Sequence, residues 1–288
     1  MKRASVTTAG RRLSTATCCW LILLALLLAG CSLGRTLTVR GGTGPEFLRM
    51  VTDLRTARVI FLGEFHDRRE HHRLQLQVIT ALQKSGVPFA IGMEMFDLES
   101  QGALDLWGEG KLGLLDFVGT YQRNWNIDWA EYDTILLFAR NNRIPLVGLN
   151  VPDDIIERVA NGGTGALRPA DRARLPAGVS AAMDDSYRDF LRRAFVSHAM
   201  GEKGFDAFCD AQGVRNSTMA LRIAAYLEQH PEQTMVVISG VGHAVRRAVP
   251  AQLALRLPRL TSRIVLPLAD GELPVGVEAA DADYLWEE

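Results

Sequence analysis

Apolar positions along this chain follow two different rhythms. Short unbroken apolar runs occur as VIFLGEFHD (Val59 to Asp67), FAIGMEMFD (Phe89 to Asp97), IPLVGLN (ending at Asn150) and VVISGVGHA (Val236 to Ala244). Each contains a glycine followed closely by an acid, a histidine or an asparagine. This is the pattern of strands buried on both faces, whose carboxyl ends open into a crevice. Arg263 to Leu268 gives a fifth run. Between the runs, apolar residues recur every three or four positions. Leu74, Val78 and Leu82 do so before Gly86, and Tyr132, Ile135, Leu136 and Ala139 make a second helical face. Asp67 with Glu70, and Asp128 with Glu131, have capping-box spacing, and Pro152 suits the start of a further helix ending near Gly162 and Gly163.

Strand and helix therefore alternate, which predicts an α/β fold: a mainly parallel sheet flanked by helices on both faces. From about residue 160 to 216 the pattern changes to charged helical segments with no strand. This predicts a smaller helical lobe beside the sheet. A helix from Asn216 to Gln229 then leads into the strand at Met235, and another, starting near His243, bends or breaks at Pro250.

The first thirty residues follow a different logic. Lys2, Arg3, Arg11 and Arg12 precede an apolar stretch from Trp20 to Ala29, the layout of a secretory signal. Leu28, Ala29 and Gly30 lead into Cys31, the bacterial lipobox pattern, so residues 1–30 read as a lipoprotein signal peptide and Cys31 as the acylated residue. Ser32 follows where an aspartate would retain a lipoprotein in the inner membrane. In a Gram-negative host the expectation is attachment to the outer membrane, facing the periplasm. Residues 31–45, with four glycines, read as a tether, and residues 46–288 as the folded domain.

Composition changes little in this picture. Removing the leader from 288 residues leaves enough chain for one large α/β domain with a smaller lobe. A net charge of -1 and the lack of basic runs give no electrostatic case for nucleic acid. With Cys18, Cys19 and Cys31 accounted for by the leader and the lipid, Cys209 is a lone thiol suited to helix packing.

The candidate chemistry lies at the strand ends. Glu64, His66, Glu94 and His243, with Asn150 beside them, come from distant segments that the fold would bring together. Two imidazoles and two carboxylates suit either a divalent metal or metal-free acid/base catalysis. Gly63, Gly92 and Gly242 would let a ligand approach the backbone closely. Each residue also has a structural reading: Asp67 as a helix cap, Glu94 as the partner of a buried arginine, His243 as a helix-start residue. His71 and His72 read as solvated residues on a surface turn, and His198 as a helix-end imidazole favoured by the dipole.

Taken in order, GEFHD with its helix EHHRLQLQVITAL, then GMEMFD, then WNIDWAEYDTILLFARNNRIPLVGLN, and finally GVGH, resemble the ChaN family of haem-binding lipoproteins. The resemblance runs from about Arg58 to Leu268. It extends to a wider group with an erythromycin esterase-like and Tiki/TraB-like core, some of whose members are hydrolases with a comparable Glu and His set. It implies a parallel-sheet domain with a helical lobe and haem held by a homodimer for iron acquisition, with an outer-membrane haem or iron receptor as a partner. It further implies tyrosine as the iron ligand, for which Tyr132 and Tyr187 are the candidates and Tyr121 a third; phenolate oxygen stabilises ferric haem. Phe190, Phe195, Phe205 and Phe208 would shield a porphyrin or fill a core. Hydrolysis by Glu64, His66, Glu94 and His243 is the alternative function.

Overall fold

The computed structural model describes residues 36–195 and 201–287. The leader, Cys31 and His198 lie outside the described residues. Seven strands form one sheet: β1 (Leu37–Arg40), β2 (Val59–Glu64), β3 (Phe89–Asp97), β4 (Leu146–Asn150), β5 (Thr234–Gly240), β6 (Ser262–Pro267) and β7 (Tyr284–Glu287). Their order is β1-β7-β6-β2-β5-β3-β4, and every pairing is parallel. The five strands read from the sequence are all present. β1 and β7 are additions, and β1 falls inside the stretch read as a tether. Four residues with one buried side chain, Val39, give little periodic signal; what makes them a strand is the free edge of β7, on which Leu37 pairs with Tyr284.

Because side chains alternate across a strand, each strand feeds two cores. Ile60, Leu62, Val236 and Ile238 face one side, packed against α1 (Pro45–Leu54), α2 (Arg69–Lys84), α3 (Gln101–Gly108), α4 (Leu114–Asn124) and α5 (Trp129–Asn141). Val59, Phe61, Met235 and Val237 face the other, packed against α8 (Asp185–Phe195), α9 (Glu202–Gln229), the short α10 (Val241–Ala244) and α11 (Val249–Arg256). Helices thus cover both faces, as the alternation predicts.

The helical region carries a third, smaller core in which Val151, Ile155 and Val159 meet Ala211 and Val214. It is built by α6 (Asp153–Gly162) and the first half of α9, with the short α7 (Pro169–Ala173) nearby. The helix expected from Asn216 to Gln229 instead begins at Glu202 and runs for 28 residues as one continuous element. Gly213 hides this continuity in the sequence. It sits mid-helix because a Cβ there would lie 2.3 Å from the carbonyl oxygen of Ala181, which crosses the helix at that point.

Two helix starts also differ in detail. α5 is capped by Asp128, which accepts from the amide of Ala130. α2 instead begins after Arg68 with no side-chain cap, so Asp67 is not its cap. Asp67 is left exposed between strand and helix. Pro250 lies in the first turn of α11, where a missing amide costs nothing.

Candidate functional site

The strand order explains the site. β5 lies between β2 and β3, so Glu64 at the end of β2 and Glu94 on β3 are two strands apart with Gly240 between them. Having no side chain, Gly240 leaves the space over β5 open: a Cβ there would stand 2.9 Å from Cε1 of His66 and 3.0 Å from its Nε2. The imidazole of His66 therefore reaches across β5 from β2 towards Glu94. Gly63 and Gly92 serve a different purpose from the expected one. Their absent side chains make room for Leu266 and Leu149 in the core, not for a ligand.

Glu64 is fully enclosed and receives donors from several directions. His66 Nδ1 is 2.8 Å from its Oε1, Gln75 Nε2 donates to its Oε2 at 2.7 Å, and the Tyr132 hydroxyl donates to Oε1. His72 Nε2 lies 3.4 Å from Oε2, too poorly directed for a full hydrogen bond, while its Nδ1 lies 3.5 Å from Glu131. Burial alone would raise the Glu64 pKa; hydrogen bonding from His66 and then the contact with His72 overcome it and hold the group down at about 2. For His66 burial pulls downward, but the bond to Glu64 and the charge of Glu94 raise it to about 9. At neutral pH the floor of the crevice thus holds a carboxylate clamped to an imidazolium.

Glu94 owes its orientation to an irregularity in the sheet. Its strand pairs with β4 up to Met93, shifts register, and pairs again at Asp97 with Asn150, the behaviour of a bulge that re-aims a side chain. Asn150 Nδ2 donates to the Glu94 carbonyl at 2.9 Å, and Gly240 N–H donates to Glu94 Oε2 at 2.8 Å. His243 Nε2 stands 3.4 Å from Glu94 Oε1, with its Nδ1 held by Asn216 Oδ1 at 2.6 Å. Burial would raise the Glu94 pKa, but the charges of His243 and His66 and the Gly240 bond lower it. Arg215 donates to Asn150 Oδ1 at 2.8 Å and adds a positive charge nearby.

Above this floor lies a crevice of about 550 Å³. Trp125, Ile127, Phe208 and Val241 form its apolar wall, with Arg215 and Gln212 at the polar side. The indole of Trp125 meets the His66 ring edge-on at 4.9 Å. Glu64, His66, Glu94 and His243 are therefore brought together, with Asn150 beside them. The Nδ1 atoms of His66 and His243 are spent within the site, and among the described residues no group of three His, Cys, Asp or Glu side chains is placed to hold a metal ion.

The tyrosines are elsewhere. Tyr132 is 0% and Tyr187 1% exposed; the first donates to Glu64 beneath the crevice floor and the second to the Gly242 carbonyl at 3.0 Å. Tyr121 donates to the Ile127 carbonyl at 2.9 Å. All three candidate phenols are thus enclosed and bonded within the chain, not presented on the crevice wall. Tyr226 and Tyr284, the other two of the five tyrosines, are bonded to Gln233 and Asp53. Phe190 and Phe205 are core, Phe208 lines the crevice, and the Phe195 side chain lies outside the described residues.

His71 and His72 are buried at 5% and 1% exposure, not solvated. His71 Nδ1 accepts the amide of Phe65, and His72 stacks at 4.3 Å on Tyr132. A signal for the latter was present: His72 and Gln75 fall on the same helical stripe as Ile79 and Leu82, a polar pair on an apolar face. Asn216 and Arg215 offered no comparable mark.

Residues 50–253 match the family described as haem-binding uptake, Tiki superfamily, ChaN. The chain belongs to this family. Among solved structures, the ChaN protein of Campylobacter jejuni, which binds haem cofacially, shares its fold at 21% identity over 83% of this chain and 90% of that one, with a TM-score of 0.63. An erythromycin esterase, EreC, in its open conformation superposes with a TM-score of 0.50 at 14% identity, over 78% of this chain and 73% of the other. The chloroplastic protein RETICULATA-RELATED 5 of Arabidopsis thaliana is 22% identical over 84% of this chain, which spans 36% of that protein's length. Within the ChaN family fold, the crevice at the ends of β2, β3 and β5 is the site this chain's own residues build.

Proposed function

We propose that the protein binds haem and serves haem or iron acquisition, held by lipid on Cys31 at the outer membrane, facing the periplasm. Membership of a haem-binding uptake family over residues 50–253 carries this reading. The crevice supports it chemically: an apolar wall of Trp125, Ile127, Phe208 and Val241 suits a porphyrin plane, while the His66 imidazolium and Arg215 suit its carboxylates. Haem would supply a ferric centre there; the His66 imidazolium, with Nδ1 committed to Glu64, has its Nε2–H left to donate to a haem carboxylate. In the same reading the protein works as a homodimer and exchanges haem with an outer-membrane receptor.

A haemin titration followed by absorbance and sedimentation tests this. A saturable Soret band is expected, unchanged in Tyr132→Phe and Tyr187→Phe and saturating only at higher haemin concentration in His66→Ala. No saturable band would remove the reading, and loss of the band in a Tyr→Phe variant would return iron ligation to a phenol.

A second reading is favoured by the site geometry. Glu94 and the His66 imidazolium face each other across Gly240, one ionised and one protonated. Such a pair supplies a base to take a proton from water and an acid to protonate a leaving oxygen, the requirements of ester hydrolysis. A panel of esters should then show turnover that falls by a factor of about 100 or more in Glu94→Gln. Equal rates in the variant and the parent would discard hydrolysis at this site.

A further inference from the structure

The two ends of the sheet carry opposite charge. All strands are parallel, so every connection entering a strand lies at one end, the amino end, and every connection leaving lies at the crevice end. Entering connections carry Arg55 and Arg58 before β2, Lys84 before β3, Arg143 before β4 and Arg259 before β6, against Glu232 before β5. The entry to β7 is set back from this end, since Tyr284 pairs with Val265, and its Asp281 and Asp283 are engaged by Arg247 and Arg246 from the connection leaving β5. The other leaving connections are acidic, with Asp67, Asp97, Asp153, Asp270 and Glu272 against Arg68.

The basic residues are spread along this end from β6 to β4 in sheet order, a width of about 19 Å at the spacing of neighbouring strands. They surround apolar surface. A groove of about 440 Å³ has Leu227, Leu257 and Leu260 in its walls, with Arg58, Arg256 and Arg259 around it and Glu228 at one side. Leu255 next to it is 78% exposed. A basic rim around exposed leucines matches the boundary between anionic headgroups and acyl chains.

We propose that the amino end of the sheet is a docking face for an anionic phospholipid surface, so that the crevice faces away from the membrane. The proposal rests on the membrane-anchored reading for its setting, but the face itself is defined by described residues.

The test replaces the lipid by an independent tether, so that acylation and docking are judged separately. Protein starting at Ser32 with an amino-terminal hexahistidine tag is held on nickel-chelating vesicles of neutral phosphatidylcholine, with or without phosphatidylglycerol. An environment-sensitive dye is placed on Leu255→Cys or on Glu272→Cys; Cys209 is buried and remains unlabelled. The dye at position 255 should shift to the blue with phosphatidylglycerol, lose the shift in high salt, and lose it when Arg58→Glu and Arg259→Glu are combined. The dye at 272 should not respond. No shift at 255, or an equal shift at 272, would overturn the docking face, whereas failure of palmitate labelling at Cys31 would overturn only the anchor.

Discussion

At the scale of single residues, the site is governed by one enclosed carboxylate. Glu64 fixes the His66 ring and keeps it protonated, and the sign of the resulting pH dependence follows. The His66 pKa rises on folding from 6.5 to about 9, so its contribution to stability is complete below pH 6.5 and is lost as pH rises through 9. Glu64 falls from 4.5 to about 2, so its contribution is complete above pH 4.5 and is lost as pH falls through 2. The pair therefore stabilises most between pH 4.5 and 6.5. Trp125, edge-on to the His66 ring, gives a local readout because an imidazolium quenches indole emission. Emission should rise with an apparent pKa near 9, shift towards 6.5 in Glu64→Gln, and vanish as a difference in Trp125→Phe. A titration that ignores Glu64→Gln would separate His66 from Glu64. The sequence revealed the four convergent residues, because glycine, acid and histidine stood at strand ends. It did not reveal what clamps them. Tyr132 reads as one more apolar position on a helix face, and only packing turns its hydroxyl towards Glu64.

At the scale of elements, strands and helices with strong periodicity were legible, and those created by tertiary pairing were not. β2 through β6 announce themselves by unbroken apolar runs. β1 and β7 are four residues each and depend on one another, with Val39 buried and Arg40 Nε 2.7 Å from Glu287. Burying Val39 alone is worth about 1.5–3 kcal/mol, and β1 also covers the edge of β7. A chain starting at Thr36 should keep the parent urea midpoint. One starting at Pro45 should lose at least that amount and aggregate through the exposed edge, as measured by urea melts and light scattering. Equal midpoints for the two would show that β1 is dispensable. The helical lobe was legible as a change in composition, but its limits were not, because Gly213 interrupts a helix pattern for a packing reason that only the neighbouring chain supplies.

At the scale of the molecule, two cores are stitched through a single sheet, so the central strands are covered from both sides, as is the β4 edge, and the β1 edge is not. Every residue of β2 and β5 is buried, whereas Val39 is the one buried residue of β1. Amide exchange should accordingly be slowest in β2 and β5 and faster by several orders of magnitude in β1, followed by mass spectrometry. Equal protection would mean that the sheet opens as one unit. The crevice inherits its timing from the same architecture. Its floor needs β2, β3 and β5 side by side, contributed by segments spread over most of the chain, and no local stretch contains more of it than the Glu64–His66 pair. Long-range pairing of this kind comes late in folding. A chain that has not closed its sheet is therefore silent: whatever ligand the crevice takes, competence to capture it begins with that closing.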